Sequence, residues 1–123
     1  MKLAKTEENI MEIIWKEGKA FMKDILDHFP EPKPAPSTVA TLLKRMQQKG
    51  FVGYTVFGNS REYYPLVKKS DYFSKHMKGI VKNYFGNSSL KFASFFTTTS
   101  NFSTKELEEL KKIIDDQIKK NEK

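Results

Sequence analysis

Between Pro36 and Phe51 the chain reads PSTVATLLKRMQQKGF, and its apolar residues recur with a helical period. At about 100° per residue, Val39, Leu42, Leu43 and Met46 fall on one stripe, the spacing of a helix face pressed onto a core. Ser37, Thr41, Lys44 and Gln48 lie opposite, flanked by Thr38, Ala40 and Arg45. No carboxylate interrupts this polar side. Pro36 suits a first helical turn and Gly50 a C-terminal stop, so the sequence alone predicts both ends of the helix.

The same pattern predicts two helices upstream. Thr6 is the expected N-cap of EENIMEIIWKEG, with Glu7 and Glu8 in the dipole-favoured first turn and Ile10, Ile13 and Ile14 on one face. Phe21, Met22, Ile25, Leu26 and Phe29 predict a short second helix ended by Pro30, and EPKPAP predicts a stiff, extended connection into the third. After Gly50 the period changes to two. Val52, Tyr54 and Val56 alternate with Gly53, Thr55 and Phe57, Gly58-Asn59-Ser60 makes a turn, and REYYPLV returns as a second strand. Three helices and a hairpin in this order predict a winged helix-turn-helix.

Residues 70 to 123 read as three more helices. Phe73, Met77, Ile80, Val81, Tyr84 and Phe85 form one stripe, broken at Gly86-Asn87; SSLKFASFFTTT carries Leu90, Phe92, Phe95 and Phe96. Ser103 opens a capping box with Glu106, followed by Leu107, Leu110, Ile113, Ile114 and Ile118. The expected fold class is therefore mostly α with a small β-hairpin wing (α+β). Residues 1 to 69 form a DNA-binding domain and residues 70 to 123 a helical dimerisation region. So many apolar side chains after a complete winged unit are buried most simply by a two-fold homodimer, with Phe73, Met77, Ile80, Tyr84, Leu107, Leu110 and Ile114 as its contacts.

Charge sharpens this picture. The formal net charge is +7 over 123 residues, but it is unevenly spread. Residues 1 to 35 hold six lysines against seven acidic residues, whereas residues 36 to 69 hold Lys44, Arg45, Lys49, Arg61, Lys68 and Lys69 against Glu62 alone. A positive field centred on the third helix favours a polyanion through counterion release. The helix offers small groups and hydroxyls first and cations a turn later, the order in which a recognition helix reads bases and touches phosphates. Ser37, Thr38, Ala40, Thr41, Lys44 and Arg45 are thus the candidate DNA-reading residues, with Arg61 reaching a phosphate or the minor groove from the wing.

Composition excludes other chemistry. There is no cysteine and there are only two histidines, His28 and His76, so neither thiolate chemistry nor a metal site is expected, and no cofactor is implied. No nucleophile–base pair or cleft of paired carboxylates suggests an enzyme. No apolar run is long enough to span a bilayer and MKLAKTEEN lacks a signal-peptide core, so a cytoplasmic protein without membrane insertion is expected. The rival reading is a winged-helix adaptor that binds protein through the same face without specific DNA binding.

Four segments carry a family resemblance: MEIIW ending at Trp15, STVATLLKRMQQKGFV from Ser37 to Val52, Arg61 with YYPLV from Tyr63 to Val67, and FSTKELEELKKII. Together they resemble the penicillinase-repressor family of bacterial transcriptional regulators over most of the chain. The resemblance implies a homodimeric repressor on an inverted-repeat operator in double-stranded DNA, gripping it through the winged helix and dimerising through the C-terminal helices. It also implies, for members controlling β-lactam resistance, a membrane sensor protease that triggers cleavage at an Asn-Phe pair in the penultimate helix. The aligned positions here are Ser94, Phe95 and Phe96, without the Asn; Asn101-Phe102 has the letters but precedes the last helix. The copper-responsive branch carries C-terminal cysteine pairs, and this chain has none. Ala40 stands where relatives often carry a larger residue, which implies a different operator preference.

Overall fold

A computed structural model describes residues 2–122. Its contacts divide the chain into two compact units, Met1–His76 and Met77–Lys123.

The first unit begins with α1, Lys5–Glu17. Thr6, expected as its N-cap, lies inside the helix; Ala4 is the cap residue, and its backbone N–H donates to Glu7 Oε1 at 2.8 Å. The helix starts earlier than expected, with Glu7 reaching back from the first turn to accept the Ala4 N–H. Ile10, Met11 and Ile14 are fully buried along one face. A two-residue strand, β1, Ala20–Phe21, follows, and α2, Met22–His28, starts directly after it. Phe21 is therefore not part of the helical stripe, as the apolar spacing suggested. It pairs with Glu62 in the sheet and hands the chain to α2, with its N–H donated to Asp24 Oδ2 at 2.9 Å. A pairing of two residues leaves no periodic trace in a sequence.

The α2–α3 connection is fastened by Lys33. Its ammonium donates to the carbonyls of Leu26 at 2.8 Å, Asp27 at 3.2 Å and Phe29 at 2.8 Å, at the end of α2 and its C-cap, where the Leu26 carbonyl also accepts the Phe29 N–H. Helix α3 runs Pro36–Gln48, with Pro36 at its first turn. Val39, Leu43 and Met46 are fully buried and Leu42 packs beside them, as the periodicity predicts.

Strands β2, Val52–Phe57, and β3, Ser60–Pro65, make the hairpin, and β1 adds to the far side of β3 to give the antiparallel order β1-β3-β2. Phe57 pairs with Ser60, so the turn is the two residues Gly58-Asn59 and Ser60 belongs to the strand. Gly58 has φ +61, the left-handed conformation that a two-residue hairpin turn requires. Val52 and Tyr63 close onto the core; Val56 and Phe57 extend beyond it and are exposed. Helix α4, Lys69–Tyr84, starts in this unit. Tyr72, a residue outside the expected stripe, is buried there. Its hydroxyl accepts the Leu3 N–H at 3.0 Å and donates to Glu8 Oε2 at 2.8 Å, while Trp15 Nε1 donates to the Val67 carbonyl at 2.8 Å.

The second unit holds the end of α4, then α5, Ser89–Thr99, and α6, Thr104–Asn121. Phe85 meets Phe92 and Phe95 with centroids 5.4 and 5.3 Å apart, and Phe96 meets Phe102 at 5.4 Å. The Ser103 box forms as expected, its hydroxyl accepting the Glu106 N–H and Glu106 Oε1 accepting the Ser103 N–H. The Ser103 N–H first, and the Ser103 hydroxyl second, hold the Glu106 carboxyl below the usual carboxylate range.

Candidate nucleic-acid interface

One face of α3 is shut and the other open. Behind it Val39, Leu43 and Met46 are sealed; in front Ser37, Thr38, Ala40, Thr41, Lys44 and Arg45 are all exposed. The helix cannot roll about its axis without pulling three apolar side chains from the core, at about 1.5–3 kcal/mol each. Its outward face is thereby fixed by burial rather than by the polar residues themselves.

The open face is less uniform than its residue types suggest. Thr41 Oγ1 donates its proton to the Ser37 carbonyl at 3.0 Å, within the helix. Toward a ligand it presents lone pairs and a methyl group, and so favours a base amino group or a thymine methyl over a carbonyl. Ser37 and Thr38 keep their hydroxyls at the N-terminal turn, where a helix entering the major groove meets base edges.

The cations divide into two sets. Lys49, at the C-cap of α3, turns inward: its ammonium is 3.1 Å from Oε1 and 3.4 Å from Oε2 of Glu7, a carboxylate only 1% exposed. Lys69 pairs with Glu12 at 2.9 Å. Two of the six cations counted for this region are therefore neutralised by residues of α1, and among the described residues Lys44, Arg45, Arg61 and Lys68 have no carboxylate within ion-pair distance. Sequence counting overstated the patch because the compensating acids lie 42 and 57 positions upstream. Glu7 and Lys49 together pin the C-terminal end of α3 to the start of α1, a positioning role that charge counting hides.

Arg61 sits on the wing, exposed, with its guanidinium carbon 4.4 Å from the centroid of the Tyr54 ring. Tyr54 pairs with Tyr63 and Val56 with Arg61, so Tyr54 and Arg61 are diagonal neighbours on one face of the ribbon. The opposite face holds a close approach: a Cβ on Gly53 would lie 2.8 Å from the Tyr64 ring, so the ring covers the strand only because residue 53 has no side chain.

The residues expected at a dimer contact and at a cleavage point lie elsewhere. Phe73, Met77, Ile80 and Tyr84 on α4, and Leu107 and Ile114 on α6, are exposed in the single chain, with Tyr84 at 79%, and Leu110 is half-buried. Ser94, Phe95 and Phe96 are exposed on α5. Among the described residues, no three His, Asp or Glu side chains are grouped as metal ligands, and no helix is long and apolar enough to cross a membrane.

Against this geometry the relatives are consistent. The chain is similar to the methicillin resistance regulatory protein MecI of Staphylococcus aureus, 27% identical over 113 residues that span 91% of this chain and 92% of that protein. It is similar to the penicillinase repressor of Bacillus licheniformis, 22% identical over 115 residues, 93% of this chain and 90% of that one. Among solved structures it is similar to the DNA-binding domain of the repressor BlaI, with TM-score 0.51 and 25% identity over 58% of this chain and 88% of that domain. These relatives are regulators and not enzymes. The family model for the penicillinase repressor matches residues 3–116, and the chain therefore belongs to the penicillinase-repressor family of winged-helix, DNA-binding transcriptional repressors.

Proposed function

We propose that the protein represses transcription by binding an inverted-repeat operator in double-stranded DNA as a homodimer, with one α3 helix in each half-site. The observation that carries this reading is the open face of α3: six exposed residues, Ser37, Thr38, Ala40, Thr41, Lys44 and Arg45, without a carboxylate, on a helix that its core contacts hold in one rotation. The solved repressor domain that it resembles is named for DNA binding.

The second unit supplies the dimer in this proposal. Met77, Ile80, Tyr84, Leu107 and Ile114 leave more apolar surface open than a single chain needs, and a two-fold partner buries it. A symmetric pair of winged helices then addresses half-sites about 34 Å apart. Each half-site alone is held weakly; tethering makes the second contact intramolecular, so whatever loosens the second unit releases the operator. Cutting at the exposed Ser94, Phe95 and Phe96 separates α6 from α4, which makes proteolysis, driven by a membrane sensor protease, the proposed route to induction.

Fluorescence anisotropy with the promoter fragment upstream of the protein's own gene tests the reading. Saturable binding well below the concentration needed for random DNA, lost in Lys44→Gln/Arg45→Gln, supports it. Equal weak binding to every fragment overturns it and favours a protein-binding adaptor. Removal of residues from Ser88 onward should lower operator affinity at least about tenfold if the second site is reached by tethering; unchanged affinity would remove the dimer from the mechanism.

A further inference from the structure

The segment that joins α2 to α3 is poor in hydrogen-bond donors. Pro30, Pro32, Pro34 and Pro36 alternate with Glu31, Lys33 and Ala35, so every second residue lacks a backbone N–H. The last carbonyls of a helix are ordinarily met by N–H groups of the residues that follow it. Here the Phe29 N–H reaches the Leu26 carbonyl at 3.2 Å, and the prolines beyond it have none to give. A side chain takes over. The Lys33 ammonium carries three hydrogens and meets three acceptors, the carbonyls of Leu26, Asp27 and Phe29, at 2.8, 3.2 and 2.8 Å.

Three residues later α3 begins, and its first turn has little else to hold it. The N-cap is Ala35, which has no side-chain acceptor for the open N–H groups. The first buried residue of the helix is Val39; Pro36, Ser37 and Thr38 precede it and are exposed. A helix end that is neither capped by a side chain nor packed opens readily. Ser37 and Thr38 are therefore held from one side by the Val39 contact and from the other by the loop that Lys33 fastens. They are also the residues of α3 that stand where a helix in the major groove meets base edges.

We propose that Lys33 is a positioning residue for sequence recognition: by closing the end of α2 it fixes the loop that sets where Ser37 and Thr38 stand, and it sharpens the choice between DNA sequences without touching the DNA. This rests on the DNA-binding reading of α3. Charge alone suggests the opposite role, because a lysine three residues ahead of a recognition helix is well placed for a phosphate. The hydrogens of Lys33 are already engaged. The two roles leave different traces, since a phosphate contact strengthens binding to every duplex and steepens its salt dependence, whereas a positioning residue acts only where bases are read.

The test uses the full chain with two duplexes of equal length, the promoter fragment upstream of the protein's own gene and a random sequence, followed by fluorescence anisotropy at several salt concentrations. Lys33→Met keeps the aliphatic stem and removes the donors. It should weaken promoter binding about threefold to tenfold, the worth of about one hydrogen bond, and leave random-duplex affinity and both log–log salt slopes as in the parent protein. Amide protection should fall at Thr38 and Val39, whose N–H groups share the Ala35 carbonyl at 3.0 and 3.2 Å, and hold at Leu43 and Met46. A slope lower by about 0.9 on both duplexes would make Lys33 a phosphate contact and overturn the positioning role. Promoter affinity equal to that of the parent overturns it as well, and so does protection lost equally at Leu43 and Met46, because Lys33 would then support the whole domain and not the reading end. A parent chain that binds both duplexes equally overturns the operator reading and this one together.

Discussion

The Lys49 ammonium lies 3.1 Å from Oε1 of Glu7, joining the C-cap of α3 to the first turn of α1 across 42 positions of sequence. The two members are not equivalent. Glu7 is sealed, while about a quarter of the Lys49 side chain still meets solvent. Loss of the lysine strands a buried charge, and loss of the carboxylate's charge leaves a cation that can turn to water. Lys49→Met should therefore cost about 2–4 kcal/mol and Glu7→Gln, which keeps an acceptor for the Ala4 N–H, about 1 kcal/mol, measured by urea denaturation. The reverse order would show that the pair is held by the lysine's surroundings and not by the carboxylate's burial.

Gly53→Ala should move the Tyr64 ring. A methyl at residue 53 meets Cζ of that ring at 2.8 Å, and the ring is at the far end of a side chain that can swing. The expected cost is about 1 kcal/mol, the low end for overpacking. In a Tyr64→Ser background the same substitution should cost nothing, because the obstacle has gone. Additive effects in this double-mutant cycle would place the strain in the backbone instead.

Tyr72 links stability to alkaline pH. Burial pushes its phenol above the ordinary value of 10.0, and the Glu8 carboxylate that accepts its proton acts in the same direction. A group whose folded pKa is raised stabilises the fold fully below the unfolded value and loses that contribution as pH rises from there through the folded value. Unfolding free energy should thus fall above about pH 10 in the parent protein, and Tyr72→Phe should flatten that decline while costing about 1–2 kcal/mol at neutral pH, where the Leu3 N–H loses its acceptor. An alkaline decline of the same size in both proteins would assign it to other groups.

The box at the start of α6 predicts the opposite dependence. Glu106 is held below its ordinary range by the Ser103 N–H and hydroxyl, so its contribution is present above the ordinary carboxylate value and is lost as pH falls through the lowered one. Amide protection factors in the first turn of α6, in which the intrinsic pH dependence of exchange is divided out, should fall on acidification, and in Ser103→Ala they should already be low at neutral pH. Protection there that does not change with pH would mean that the helix start is held by other contacts.

Much of this architecture could be read from the chain because its signals are local. The buried stripe of α3, the change to a period of two at Val52 and the box at Ser103 each lie within a few residues of what they specify. What escaped were relationships that local pattern does not encode. Phe21 has a helical neighbour's spacing but pairs with Glu62, Tyr72 is buried by partners more than sixty positions upstream, and Lys49 and Lys69 are matched by acids in α1. For the candidate interface, the residue types of the α3 face were legible. Which cations stay free, and that Thr41 has already donated its proton, follow only once the backbone has brought distant positions together.

The inward-facing lysines have a kinetic consequence. An ion pair leaves the total charge unchanged, so out to about 8 Å, the screening length at physiological ionic strength, an approaching polyanion is drawn by the whole molecule's excess of positive charge, while at contact it meets only those cations whose hydrogens are still unclaimed. Arrival then depends on every cation, and departure only on those left unpaired. A change of charge at Lys49 or Lys69 would alter how often the protein encounters a polyanion more than how long it stays, whereas a change at an unpaired cation would alter both.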